Sequence, residues 1–94
     1  MLVYMTEIPS HREARIKRLI YRSSYTGMKE TDLLLGQFAQ THLPHLTDTD
    51  INDFEKLLEE GDPALLAWVK GDEAVPEQFA TAVFKLIRDF DVNA

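Results

Sequence analysis

A chain of 94 residues, 45% hydrophobic and 28% charged, has the size and composition of one globular domain, and its apolar runs fall far short of the roughly 20 residues that span a membrane. Cysteine is absent, which excludes disulfides, thiolate metal sites and cysteine nucleophiles and points to a cytosol-like compartment. The net charge of -6 conceals a split: residues 1–30 hold six Lys/Arg against three Glu, a balance of +3, leaving -9 on the remainder. Such a polarised surface orients a partner during encounter but does not choose a fold.

Residues 1–10 are expected to form a flexible segment, and Met1 to Met5 is too short and too free of basic residues for an export signal. Ser10 is a suitable N-cap for a first helix over 11–22, with Ile16, Leu19 and Ile20 at helical spacing among basic residues. Ser23, Ser24, Tyr25, Thr26 and Gly27 then predict a turn. A second helix over about 29–41 presents Leu33, Leu34 and Phe38, with Leu35 a further candidate, and stops before Pro44. Thr47 and Asp50 cap a third helix carrying Ile51, Phe54, Leu57 and Leu58, which Gly61 closes. Asp62 as N-cap and Pro63 in the first turn open a short helix through Val69, in which Trp68 is a core anchor beside Leu65 and Leu66. Pro76 and Glu77 start a last helix whose Phe79, Val83, Leu86, Ile87 and Phe90 share one face. Residues 91–94 are a tail. The predicted fold is all-α, a single compact five-helix bundle over 11–90 with antiparallel neighbours.

Candidate chemistry is sparse. Asp48, Asp50, Asn52 and Glu59 match positions one, three, five and twelve of a calcium loop. Asp53 occupies the turn position that needs glycine, however, and the helical pattern runs through the supposed loop; acids in a first turn need only the helix dipole. His42 and His45 lack a third ligand and read as a solvated loop pair, as His11 reads as an exposed helix-start residue. No nucleophile constellation or glycine-rich phosphate loop is present, so neither catalytic nor metal-binding residues are assigned. The basic helix of Arg12, Arg15, Lys17, Arg18 and Arg22, with Tyr21 and Tyr25 near its end, leaves two readings open. One is a nucleic-acid surface, disfavoured by the acidic remainder; the other is a face that docks on an acidic protein surface.

Tyr21-Arg22-Ser23, Gly27-Met28-Lys29-Glu30 and Asp32-Leu33-Leu34-Leu35-Gly36-Gln37-Phe38-Ala39 occur in an order that closely resembles the SdhE-type succinate dehydrogenase flavinylation factors. Phe54, Leu57, Leu58, Asp62, Leu65, Trp68 and the Pro76-Glu77 start extend the resemblance from about Arg12 to Phe90. It implies a five-helix fold and an assembly factor, not an enzyme, that binds the flavoprotein subunit of succinate dehydrogenase, or of fumarate reductase, and promotes covalent FAD attachment to it. The FAD belongs to that client, and the factor holds no cofactor stably by itself. Nucleic-acid binding and membrane insertion are not expected on this reading; the location is the bacterial cytoplasm, or the mitochondrial matrix in a eukaryote. Basic-helix nucleic-acid binding, another protein-interaction role and flavin binding by the chain itself remain the alternatives.

The family signature Arg-Gly-x-x-Glu is matched at Gly27 and Glu30, whereas Thr26 stands where the arginine would be. A hydroxyl keeps short-range hydrogen bonding but loses the charge and bidentate reach of a guanidinium. The resemblance implies a client-binding set of Thr26, Gly27, Met28 and Glu30, to which Arg15, Arg18 and Arg22 are added on charge.

Overall fold

The computed structural model describes residues 10–90, so the expected flexible segment, Ser10 apart, and the tail at 91–94 lie outside the described residues. Within them the chain runs α1 (His11–Ser24), α2 (Lys29–His42), α3 (Asp48–Glu59), α4 (Asp62–Lys70) and α5 (Ala82–Asp89), with short 3-10 turns at Leu43–His45 and Glu77–Phe79. No described residue is in a strand, as the expected all-α bundle requires. No helix among the described residues is long and apolar enough to cross a membrane.

Local chemistry accounts for most of the boundaries. At α1 the Ser10 hydroxyl accepts from the Glu13 N–H while the Glu13 carboxylate accepts from the Ser10 N–H, which satisfies two otherwise orphaned donors. That pairing with the Ser10 N–H, ahead of the hydroxyl contact, holds the Glu13 carboxyl below its usual value. The helix continues two residues beyond the expected stop at Arg22. Ser23 and Ser24 donate to the carbonyls of Leu19 and Ile20 at 2.6 and 2.9 Å, so their hydroxyls support the last turn instead of competing with it. Thr47 and Thr81 cap α3 and α5 by accepting from the N–H groups of Asp50 and Phe84.

Two expected boundaries are corrected. Asp62 is the first residue of α4 rather than its N-cap; Gly61 takes the cap position with φ 94°, a backbone angle that glycine adopts without Cβ strain. The last helix does not run from Pro76. A separate 3-10 turn ends at Ala80, where φ -82° and ψ 59° break the helical path, and Thr81 starts α5 afresh. That restart changes the buried face: Val83, Phe84 and Ile87 enter the core and Leu86 is exposed.

The core gathers Ile16 and Leu19 from α1, Leu35, Phe38 and Ala39 from α2, and Ile51, Phe54, Leu57 and Leu58 from α3. Leu43 of the 3-10 turn, Leu65 and Trp68 of α4 and the three α5 residues complete it. Leu33, expected inside, is 51% exposed, and Leu35 takes its place. Phe38 stands at the centre, its ring 5.8 Å from Phe54 and edge-on to Phe90 at 5.7 Å. His42 closes α2 and stacks on Phe38 at 4.7 Å instead of lying in a solvated loop with His45. Trp68 is the expected anchor, buried and stacked on Phe79 at 5.3 Å.

Helices α1 and α2 form a hairpin whose closeness depends on Gly36. A Cβ there would meet the Ser24 Oγ at 2.6 Å and its Cα at 3.4 Å. Ion pairs then tie α1 to the third helix. Arg12 bonds Asp48 and the Leu46 carbonyl, while Arg15 bonds Asn52 at 2.7 Å and Glu55 at 2.8 Å. The hairpin is thereby oriented with residues 25–28, the connection between α1 and α2, at one end.

Candidate functional site

The connection between α1 and α2 brings four of the expected site residues onto one stretch, Thr26, Gly27, Met28 and Glu30. Gly27 is exposed with φ 124°, and nothing lies within 4 Å of the place a Cβ would take, so bare backbone faces outward there. Glu30, in the first turn of α2, is exposed as well. Had either been enclosed by the bundle, no partner could reach it.

Thr26 is placed differently. It is half-buried, and its N–H and hydroxyl are both engaged by carboxylates of the chain itself. Its N–H donates to Asp32 Oδ1 at 2.6 Å, and its hydroxyl lies against that same oxygen and 2.6 Å from Asp62 Oδ2. Met28 adds an N–H donated to Asp62 Oδ2 at 3.1 Å. The Thr26 hydroxyl, assisted by the Thr26 and Gly27 N–H groups and opposed by partial desolvation, holds the Asp32 carboxyl below its ordinary value. Asp62, only 8% exposed, reaches this loop from the start of α4, so the α1–α2 connection is fastened to a helix 36 positions away in sequence.

The cations fall into two groups. Arg18 and Arg22 are exposed on α1 and make no ion pair among the described residues, and Arg22 lines an open depression of about 500 Å³ with Tyr25, Gly27, Leu58 and Asp62. Arg15 is instead engaged with Asn52 and Glu55 on α3. Tyr21 and Tyr25 are 69% and 70% exposed with ring centroids 4.7 Å apart, an amphipathic aromatic pair beside the glycine. Among the described residues no group of three or more His, Asp or Glu side chains is placed to hold a metal.

Sequence reasoning missed Asp32 and Asp62 as site residues. Asp32 offered a signal, since a carboxylate in the first turn of a helix can reach back to accept from amides that precede it. Asp62 offered none, because its local pattern is satisfied by a helix start and its partners are remote.

The family described as "Flavinator of succinate dehydrogenase" matches residues 17–91. The chain is 42% identical over 72 residues to succinate dehydrogenase assembly factor 2, mitochondrial, of Dictyostelium discoideum, an alignment covering 77% of this chain and 51% of that relative. It is 36% identical over 72 residues to the FAD assembly factor SdhE of Acetobacter pasteurianus, covering 77% and 66% of the two chains. With the SdhE of Legionella pneumophila the identity is 38% over 65 residues, covering 69% and 81%. The chain thus spans about half the length of the Dictyostelium relative and under two thirds of the Acetobacter one. Matched from the middle of α1 to the end of α5, with the Gly27 loop inside the aligned stretch, the chain belongs to the succinate dehydrogenase flavinator family.

Proposed function

We propose that this chain is an assembly factor that binds the flavoprotein subunit of succinate dehydrogenase, with the fumarate reductase flavoprotein as a related client, and promotes covalent attachment of FAD to it. The observation that carries this reading is the exposed Gly27 loop beside Glu30, in a chain of this family. Bare backbone at Gly27 lets a client surface approach closely, and Glu30 accepts hydrogen bonds or pairs with a cation there. Arg18 and Arg22, without an ion pair among the described residues, add positive charge alongside, suited to an acidic client surface. On this reading the factor favours the client conformation in which the flavin bond forms, contributes no acid, base or nucleophile, and leaves the FAD with the client. Its place of action is where the client matures, the bacterial cytoplasm or the mitochondrial matrix.

The test is to incubate apo flavoprotein subunit with FAD, with and without this protein, and follow the flavin fluorescence that survives denaturing electrophoresis. Covalent flavin rises with the factor present; no increase over the client alone overturns the proposal. Gly27→Arg is the matching variant. Its Cβ meets open space, so the helices persist, while the φ of 124° imposes strain of about 1–3 kcal/mol on the loop and the long side chain blocks close approach. Client binding is lost with helicity retained.

A further inference from the structure

We propose that Thr26 and Asp62 form a latch that sets the conformation of the Gly27 loop, making Thr26 an internal positioning residue and not a contact to the client. The proposal rests on the reading of that loop as the docking surface. It starts from the Thr26 N–H and hydroxyl, both of which bond carboxylates of the chain itself.

Asp62 is the other half. A carboxylate on a residue only 8% exposed needs partners, and no cation lies within ion-pair reach of it among the described residues. Its donors come from the loop: the Thr26 hydroxyl and the Met28 N–H. These two residues flank Gly27. Fastening both sides of the glycine restricts a backbone that glycine would otherwise leave free, and turns its open face outward. Less conformational entropy then remains to be lost when a partner docks on it.

One threonine hydroxyl carries one hydrogen, yet two carboxylates, Asp32 and Asp62, lie within its reach. Each carboxylate also accepts one backbone donor of the loop, the Thr26 N–H for Asp32 and the Met28 N–H for Asp62. Position 26 thus joins the loop to α2 and to α4 through one hydroxyl.

Amide hydrogen exchange on the whole chain tests this without any client. Thr26→Val keeps the shape and removes the hydroxyl; Thr26→Ser keeps the hydroxyl. The valine variant speeds exchange at Met28 about tenfold or more, the scale of a lost hydrogen bond to a charged group, with the amides of Leu57 and Phe84 unchanged. The serine variant stays within about twofold of the parent. Asp62→Ala reproduces the valine result, and Asp62→Asn, which retains an acceptor oxygen, does not. Met28 exchange at the parent rate in Thr26→Val, or failure of serine to restore it, overturns the latch. In parallel, the association constant for the succinate dehydrogenase flavoprotein subunit falls about tenfold in Thr26→Val and recovers in Thr26→Ser; equal binding by both shows that the latch does not position the loop. Unchanged binding by Gly27→Arg counts separately, against the docking reading alone.

Discussion

Substitution of Gly36 by alanine sets two effects of opposite sign against each other. In a helix interior, Gly→Ala ordinarily stabilises by about 1 kcal/mol through backbone entropy. Here the new methyl group would meet the Ser24 Oγ at 2.6 Å, its Cβ at 3.3 Å and its Cα at 3.4 Å. The hydroxyl can swing away only by giving up its bond to the Ile20 carbonyl, and the Cα belongs to a backbone that cannot yield without moving α1. Overpacking of this kind costs about 1–3 kcal/mol and the lost hydrogen bond about 1 kcal/mol more. Packing wins, by about 1–3 kcal/mol, and at about 4–8 °C per kcal/mol for a domain this small the melting temperature falls by at least about 4 °C. Thermal and urea denaturation of Gly36→Ala, Ser24→Gly and the double variant measure it, because removing the serine side chain relieves the clash and the pair must couple by about 1 kcal/mol or more. A Gly36→Ala protein more stable than the parent, or strictly additive variants, would refute the close approach of α1 and α2.

The remaining predictions concern polar groups. Thr31 is buried and its hydroxyl has no hydrogen-bond partner among the described residues, so Thr31→Val, equal in shape, is expected to stabilise by about 1 kcal/mol in urea denaturation; a loss of stability would mean that the hydroxyl is satisfied. Arg15→Ala removes a half-exposed pair with Glu55 and a bond to Asn52, and is expected to cost about 1 kcal/mol or less, diminishing with salt; a larger loss, insensitive to salt, would contradict that assignment. Asp32 is held below the unfolded carboxyl value of about 3.9, so its contribution to stability is complete above that pH and is lost as pH falls through the lower folded value. Acid unfolding of Thr26→Val, followed by circular dichroism, should therefore show a smaller loss over that interval than the parent. An identical acid profile would remove the threonine hydroxyl as the cause.

What could be read from the residues alone follows the range of the forces involved. Caps and helical spacing are local, and Ser10, Thr47 and the Ile51–Leu58 pattern marked their helices correctly. Gly27 was recognised as a turn residue from its neighbours. Errors arose where neighbouring elements decide. Leu33 and Leu35 fit the spacing of α2 about equally well, and only the position of the packed helices selects Leu35. On α5, the restart at Thr81 replaces Leu86 by Phe84 in the core. At the candidate site, Gly27 and Glu30 were legible as exposed loop and first-turn residues. The inward turn of Thr26 was not, because it depends on Asp62 arriving from α4, and no local pattern encodes that meeting.

The guanidinium pairs of Arg12 and Arg15 change how the lopsided charge of this chain acts at a distance. Since both are paired with the third helix, much of the apparent dipole is consumed internally, and among the described residues the positive field that survives comes from Lys17, Arg18 and Arg22 farther along α1 and from Lys29 at the start of α2. An approaching macromolecule is thus drawn toward the hairpin tip rather than toward a whole helix flank, and capture should slow with rising ionic strength while the rate of escape changes little.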